Sequence, residues 1–220
     1  MPSATRSTSW GNYAASVSTY EQHWALLDEV LYELCRRFPT HEQRGHVNAK
    51  MWIIGRTYQT GLERKVEKSG SQGGALSAAS EYLHRHHKRI DATIERLVDL
   101  REPLDPESLG TIIRAHGTIT RLVSGITIRG QSTRSFVSKY LHFHCPIVPI
   151  YDSYAVANLR RLVRWNDALN VVPHIAEADD EYSTYVLRFF DLYSRMRAAR
   201  LDPKPTVRRI DRFLVEAGDA

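Results

Sequence analysis

The stretch GITIRGQSTRSFVSKYLHFHCPIVPIYDSY, residues 125–154, combines several local signals in one short piece of chain. Its first seven residues, 125–131, are polar and glycine-containing, which predicts a tight turn. Residues 132–143 follow with apolar side chains three and four positions apart, as in an amphipathic helix, and two prolines end that helix. The side chains expected to face the core are Phe136, Val137, Tyr140 and Phe143. Asp152 then precedes a second helical pattern, so the stretch predicts a turn, a helix, a connector and a carboxylate at the start of the next helix.

Helical spacing continues on both sides of this stretch. In Tyr20–Phe38 apolar residues recur every three or four positions, Pro39 ends the helix, and Thr40 is expected to cap the next one. Asp105 is the expected cap of a helix that begins at Pro106 and is broken at two glycines. Other helices are predicted near residues 47–62, 76–100, 152–166, 179–200 and 205–216. Because no alternating strand pattern exceeds four residues, we predict an all-α, compact fold, either as one body or as two helical lobes around a cleft.

Composition supports a soluble globular protein. Apolar residues make up 42% of the 220 residues and charged residues 25%, and no apolar run reaches the length of about 18 residues that a membrane span needs. We therefore expect a cytoplasmic, monomeric protein without a membrane partner. The Ser/Thr-rich residues 1–16 predict a flexible N-terminal segment, residues 17–220 a single helical domain, and SGSQGG at 69–74 a flexible loop. Two cysteines are too few for an iron–sulfur cluster and are expected as reduced, buried thiols.

Charge and turn chemistry together point to a polyanion partner. Lys and Arg number 30 against 25 Asp and Glu, and the pI is near 9.3. Backbone N–H groups of a tight turn that leads into a helix bind phosphate without reading base sequence. The expected DNA-backbone contacts are Arg129, Gly130, Gln131, Ser132, Thr133 and Arg134. The sequence therefore predicts double-stranded DNA as the partner.

In this order of elements, residues 125–154 resemble the helix-hairpin-helix DNA glycosylase superfamily, which includes the 8-oxoguanine and adenine glycosylases. The carriers of the resemblance are the turn, the helix after it and VPIYD, which ends in Asp152. GITIRGQ departs from the family's usual Pro-Gly-apolar-Gly order. The resemblance implies a glycosylase-like helical fold and an enzyme that flips out and excises a damaged or modified base, with Asp152 as the catalytic residue. It implies no cofactor and no metal, and a modified pyrimidine in phage DNA is one specific substrate to test.

The family's nucleophilic lysine has no counterpart at its usual position. Counting back eighteen to twenty residues from Asp152 gives Arg134, Thr133 and Ser132. Lys139 is only thirteen residues back and is not expected to reach the same place. The resemblance therefore implies a monofunctional enzyme in which water attacks the sugar and strand cleavage does not follow. If Lys139 were the nucleophile, that inference would fail.

Several alternatives stay open at this stage. Asp152 is also a good helix N-cap, and the two roles are compatible. Glycines at positions 55 and 61 indicate either close helix packing or close approach of a ligand. Residues around them and beside the aspartate are candidates for a base pocket, namely Trp52, Arg56, Tyr58, Gln59 and Tyr151. The clustered histidines at 84–87 and 142–144 lack an acidic partner and favour a basic face or a helix-end contact over a metal site.

Two other classes of function are compatible with the same features. One is a non-enzymatic DNA-binding protein that keeps the turn and uses Asp152 only as a cap. The other is a helical interaction protein whose basic faces bind a protein or RNA. The basic stretches at 85–89, 159–165 and 203–213 serve either as DNA contacts or as ordinary solvated faces.

Overall fold

The computed structural model describes residues 10–66 and 74–216, and these residues form eleven α-helices and two short 3-10 turns. In chain order the helices are α1 Tyr13–His23, α2 Ala25–Arg37, α3 Arg44–Thr57, α4 Leu62–Lys65, α5 Gly74–Arg85, α6 His87–Glu95, α7 Pro106–Ser124, α8 Arg134–His144, α9 Ser153–Leu162, α10 Asp180–Ala198 and α11 Val207–Glu216. The 3-10 turns are Ile128–Gly130 and Asp167–Leu169. Within these residues no strand forms, and an isolated bridge joins Val66 to Thr127. The prediction of an all-α fold is confirmed.

Helix α8 lies in the core, because it is buried on almost every side. Its side chains Phe136, Val137, Leu141 and Phe143 are almost fully inaccessible, and it packs against α2, α3 and α7. Helix α11 packs against α1 and α9, and its Asp211 carboxylate accepts the Ile150 N–H of the connector that follows α8 at 3.3 Å. The buried apolar residues form one cluster that runs from Tyr13 to Leu214. Cys35 and Cys145 are free and buried, as expected.

Two long predicted helices are each divided in two. The predicted helix Tyr20–Phe38 breaks at Trp24, where φ is −125°. Across the break the Tyr20 hydroxyl lies 2.8 Å from an Asp28 carboxylate oxygen, and no proline or glycine marks the position in the sequence. The predicted helix at 76–100 breaks in the same way at His86. Thr40 does not cap α3, whose N-cap position is Gln43.

Helix α7 confirms the cap at its start but not the breaks expected inside it. Asp105 accepts the backbone N–H of Ser108 at 2.8 Å, and Ser108 returns a bond to the Asp105 N–H at 3.0 Å, which is a capping box. The helix runs unbroken through both glycines, Gly110 and Gly117. Gly117 is required for packing rather than as a helix breaker. A Cβ placed on Gly117 would lie 1.9 Å from the carbonyl oxygen of Glu177.

The predicted N-terminal boundary lies inside α1. The sequence places the start of the domain at residue 17, whereas α1 begins at Tyr13, because the Tyr13 ring is buried and packs edge-on against Phe213 at 5.9 Å. Residues 1–9 of the predicted flexible segment, and 69–73 of the predicted loop, lie outside the described residues.

Candidate functional site

The connector between α8 and α9 fixes Asp152 by long-range hydrogen bonds. The hydroxyl of Tyr182 donates to the Pro149 carbonyl at 2.9 Å, and that of Tyr185 donates to the Ile150 carbonyl at 2.7 Å. Asp152 follows as the N-cap of α9, where its Oδ1 accepts the Tyr154 N–H at 3.1 Å. The capping role considered for Asp152 is therefore present, and it leaves the second carboxylate oxygen free for another partner.

That partner is Lys139, which residue counting placed away from the position of the family's lysine and which the fold brings against Asp152. Its Nζ donates to Asp152 Oδ2 at 3.0 Å and to the Tyr58 carbonyl at 3.0 Å. The connector folds back along α8 instead of extending away from it, as the 2.9 Å bond from the Tyr151 N–H to Ser138 Oγ records. A separation of thirteen residues along the chain thus becomes direct contact.

Lys139 is only 5% exposed, so its charge depends on these two partners. Burial lowers the pKa of Lys139, and the adjacent Asp152 carboxylate opposes that shift. Two acceptors within hydrogen-bond distance suit the ammonium form, which has three N–H donors. An ammonium group is not a nucleophile until it loses its proton.

Asp152 and Lys139 lie in the wall of a cavity of about 270 Å³. Among the residues proposed from the sequence, the cavity is lined by Tyr58, Gln59 and Asp152. It is also lined by Lys139 and by five charged or aromatic residues that the sequence does not single out, which are Trp24, Tyr154, Arg208, Asp211 and Arg212. Trp24 is 41% exposed and Tyr154 61% exposed, so the cavity carries two accessible aromatic rings.

The other candidates for a base pocket lie elsewhere. The Arg56 guanidinium stacks over the Trp52 ring at 4.3 Å and pairs with Glu63 at 2.8 Å. Tyr151 donates to a Glu181 carboxylate and lines a different cleft between α9 and α10. Gly55 serves helix packing, since a Cβ there would lie 3.0 Å from Leu76, and Gly61 has a positive φ of 68° at the start of α4.

The predicted phosphate-binding turn precedes α8 but does not line the cavity. Arg129 is exposed with a left-handed φ of 55°, next to Gly130 at 66°, and the neighbouring Gln131 is also exposed. Thr133 is buried, and the Ser132 carbonyl accepts from Lys65 Nζ at 2.6 Å.

Arg134 differs from Arg129 in having its charge already compensated. Its Nε pairs with Asp179 at 2.5 Å and its Nη1 with Glu181 at 2.8 Å. Within the turn, Arg129 and Gln131 are therefore the accessible side chains best suited to contact phosphate.

The residues that sequence analysis missed come mainly from α11. Its segment VRRIDRF is compatible in sequence with either a DNA contact or a solvated basic face, yet the Arg208 side chain is largely buried. A weak signal exists, because Arg208 and Arg212 are four residues apart and therefore share one helix face beside the apolar stripe. Asp28, four residues after Trp24 on α2, is the fully buried counter-ion that this arginine requires.

Comparisons of this chain with protein-family models, with curated proteins and with solved structures find no match. Among the described residues, none of the helices is long and apolar enough to span a bilayer. The function must therefore be argued from the cavity itself.

Proposed function

We propose that this protein is a monofunctional DNA glycosylase, which excises a damaged or modified base with Asp152 as its essential carboxylate. The observation that carries the proposal is the position of Asp152: an ion-paired carboxylate in the wall of a cavity that also has two exposed aromatic rings. The cavity volume of about 270 Å³ is near the lower end of the range for small-ligand sites, about 300 to 1,000 Å³, and suits one flipped nucleoside.

The geometry of Asp152 suits stabilisation of a sugar cation. Departure of the base breaks the C1′–N bond, the electron pair leaves with the base, and positive charge develops on the sugar, as in glycoside hydrolysis. Asp152 is ion-paired with Lys139, and both its oxygens have fixed donors, Lys139 Nζ and the Tyr154 N–H. A carboxylate held in advance stabilises that charge without reorganisation and accepts a proton as water bonds to C1′.

The exposed rings of Trp24 and Tyr154 support a flipped nucleotide as the ligand. A base leaves the duplex stack only if the energy of unstacking, a few kcal/mol, is compensated in the pocket. Aromatic side chains stack on bases of any sequence and contribute about 1–3 kcal/mol per base. The accessible Arg129 turn at the start of α8 supports contact with the flanking backbone.

Base release is the test. The protein is incubated with genomic DNAs that are normal, oxidised, deaminated, alkylated or phage-modified. Free bases are measured by mass spectrometry and abasic sites by alkali cleavage. Asp152→Asn keeps a good N-cap but loses the charge, so we expect at least a hundredfold slower release, about 3 kcal/mol, with unchanged DNA affinity. Asp105→Asn is the matched control, because Asp105 caps α7 outside the cavity.

Lys139 decides between two mechanisms in the same assay. In the monofunctional mechanism its ammonium positions Asp152, strand breaks need alkali, and Lys139→Gln slows release without changing the products. Trapping of a covalent protein–DNA adduct with borohydride, absent in Lys139→Gln, would instead make this a bifunctional enzyme with Lys139 as nucleophile.

A non-enzymatic DNA-binding protein is the alternative. It would release no base from any DNA in the panel, and Asp152→Asn would leave both its DNA affinity and its salt dependence unchanged.

A further inference from the structure

The cavity contains a second pair of functional groups, Arg208 and Arg212, that the excision mechanism does not use. Both lie on α11, one turn apart, and both line the cavity with Asp152. Arg208 Nε donates to Asp28 Oδ2 at 2.5 Å, which fixes its guanidinium. The Arg212 guanidinium lies over the rings of Tyr20 and Trp24, at 5.1 and 5.0 Å. The two groups are thus fixed in place without a ligand.

Part of their hydrogen-bonding capacity is unused. Arg208 Nη2, Arg212 Nε and Arg212 Nη2 are buried and have no hydrogen-bond partner in the described part of the chain. Buried polar groups in folded proteins are paired in about nine cases out of ten, so three such atoms on adjacent side chains call for an explanation. A guanidinium has five N–H donors in a planar fork that matches phosphate or carboxylate oxygens.

Two of the three cationic side chains around the cavity have ion-pair partners. Lys139, Arg208 and Arg212 are cationic, although burial lowers the pKa of Lys139 and of Arg212. Of the nearby carboxyl groups, Asp152 pairs with Lys139 and Asp28 with Arg208. Burial raises the pKa of the third, Asp211, well above its ordinary value, and its two oxygens face the Ile150 N–H at 3.3 Å.

Among residues 10–66 and 74–216, Arg212 therefore has no carboxylate within ion-pair distance, whereas Lys139 and Arg208 each have one. An unpaired charge in a site of low polarity is costly, and an anion that enters the site offsets that cost.

We propose that Arg208 and Arg212 form a phosphate-binding subsite, which holds the phosphate of a deoxynucleotide whose sugar faces Asp152. The nucleotide part of this inference rests on the proposed function, whereas the anion-binding part does not. The same chemistry has two sources: a backbone phosphate beside the flipped nucleotide in DNA, or the terminal phosphate of a free nucleotide.

Two ligands without a base separate these sources. Calorimetry measures binding of 2-deoxyribose 5-phosphate, with 2-deoxyribose as its neutral counterpart. Fluorescence anisotropy measures binding of a duplex with a central tetrahydrofuran abasic analogue. Loss of one charge-assisted contact to phosphate weakens binding about tenfold or more. We therefore expect Arg212→Gln to weaken binding of at least one ligand by that factor, and the affected ligand identifies the source.

The controls exclude general effects of charge. Arg36→Gln removes an exposed arginine on α2 and should change neither affinity. Arg212→Gln should fold with unchanged or greater stability, because it removes buried N–H donors that have no partner among the described residues, as expected of a residue kept for function. If it nevertheless fails to fold, Arg212→Lys keeps the charge, loses the fork and should weaken phosphate binding several-fold. Unchanged affinity for both ligands in the folded variant overturns the subsite.

Failure of the subsite and failure of the enzyme remain distinguishable, because neither ligand contains a base. If base release depends on Asp152 but Arg212→Gln leaves phosphate binding unchanged, only the subsite is refuted. Phosphate binding that depends on Arg212, in a protein that releases no base, refutes the glycosylase only.

Discussion

Replacement of Asp28 by Asn tests how the cavity is built. Asp28 is fully buried and accepts hydrogen bonds from the hydroxyl of Tyr20 at 2.8 Å, from the hydroxyl of Tyr58 and from Arg208 Nε at 2.5 Å. Burial alone would raise the pKa of Asp28, but Arg208 and these hydrogen bonds hold it below its ordinary value. The carboxylate is therefore the ionised partner of a largely buried arginine.

The magnitude follows from that burial. Removing one partner from a buried ion pair costs about 3–5 kcal/mol, because the other charge stays buried and uncompensated. The amide adds a further penalty, since its NH₂ group must face one of three donors. We expect Asp28→Asn to lower the free energy of unfolding by about 4 kcal/mol, a large part of the total of about 5–15 kcal/mol for a domain. Glu33→Gln, which breaks the exposed pair with Arg36, should cost about 0–1 kcal/mol.

Urea unfolding at pH 7, followed by circular dichroism, measures both changes. Arg208→Met and the double variant Asp28→Asn/Arg208→Met complete a double-mutant cycle. The double variant should lose less free energy of unfolding than the two single losses added together, by about 1–3 kcal/mol. A cost for Asp28→Asn as small as that of Glu33→Gln, or strict additivity in the cycle, would refute the argument.

Three further predictions concern packing, pH and DNA contact. Gly117→Ala should destabilise the protein by about 1–3 kcal/mol in urea unfolding, because its Cβ would lie 1.9 Å from a backbone carbonyl oxygen. The control Gly110→Ala has ordinary clearance at 3.5 Å and should raise the free energy of unfolding by up to about 1 kcal/mol. Burial lowers the pKa of His116 from 6.5 to about 4, so the unfolded state binds a proton first and the free energy of unfolding should fall as pH decreases from 6.5 to 4. His116→Gln should make this fall shallower, and an unchanged pH profile would contradict the assignment. In salt titrations of duplex-DNA binding, Arg129→Gln should reduce the slope of log affinity against log salt concentration by about one. Arg134→Gln should reduce that slope by less, because two carboxylates already neutralise the Arg134 charge. Equal effects of the two variants would count against the exposed turn as the contact.

The sequence by itself determined the features that depend on neighbouring residues. The spacing of apolar residues predicted helices, and the order of Asp105, Pro106 and Ser108 matched an observed capping box. Asp152 was placed correctly at a helix start, since capping involves residues only two or three positions apart. Breaks at Trp24 and His86 escaped prediction, because no local breaker marks them.

Only the tertiary structure decided which side chains share the cavity. Lys139 meets Asp152 because the connector folds back along α8, a path that residue counting treats as straight. Arg208 is buried because Asp28, 180 residues earlier in the chain, compensates its charge. A basic helix face has the same local pattern whether it faces water or a distant carboxylate. The burial of Arg208 therefore could not be predicted from its neighbours in sequence, because it depends on contacts between residues remote in the chain.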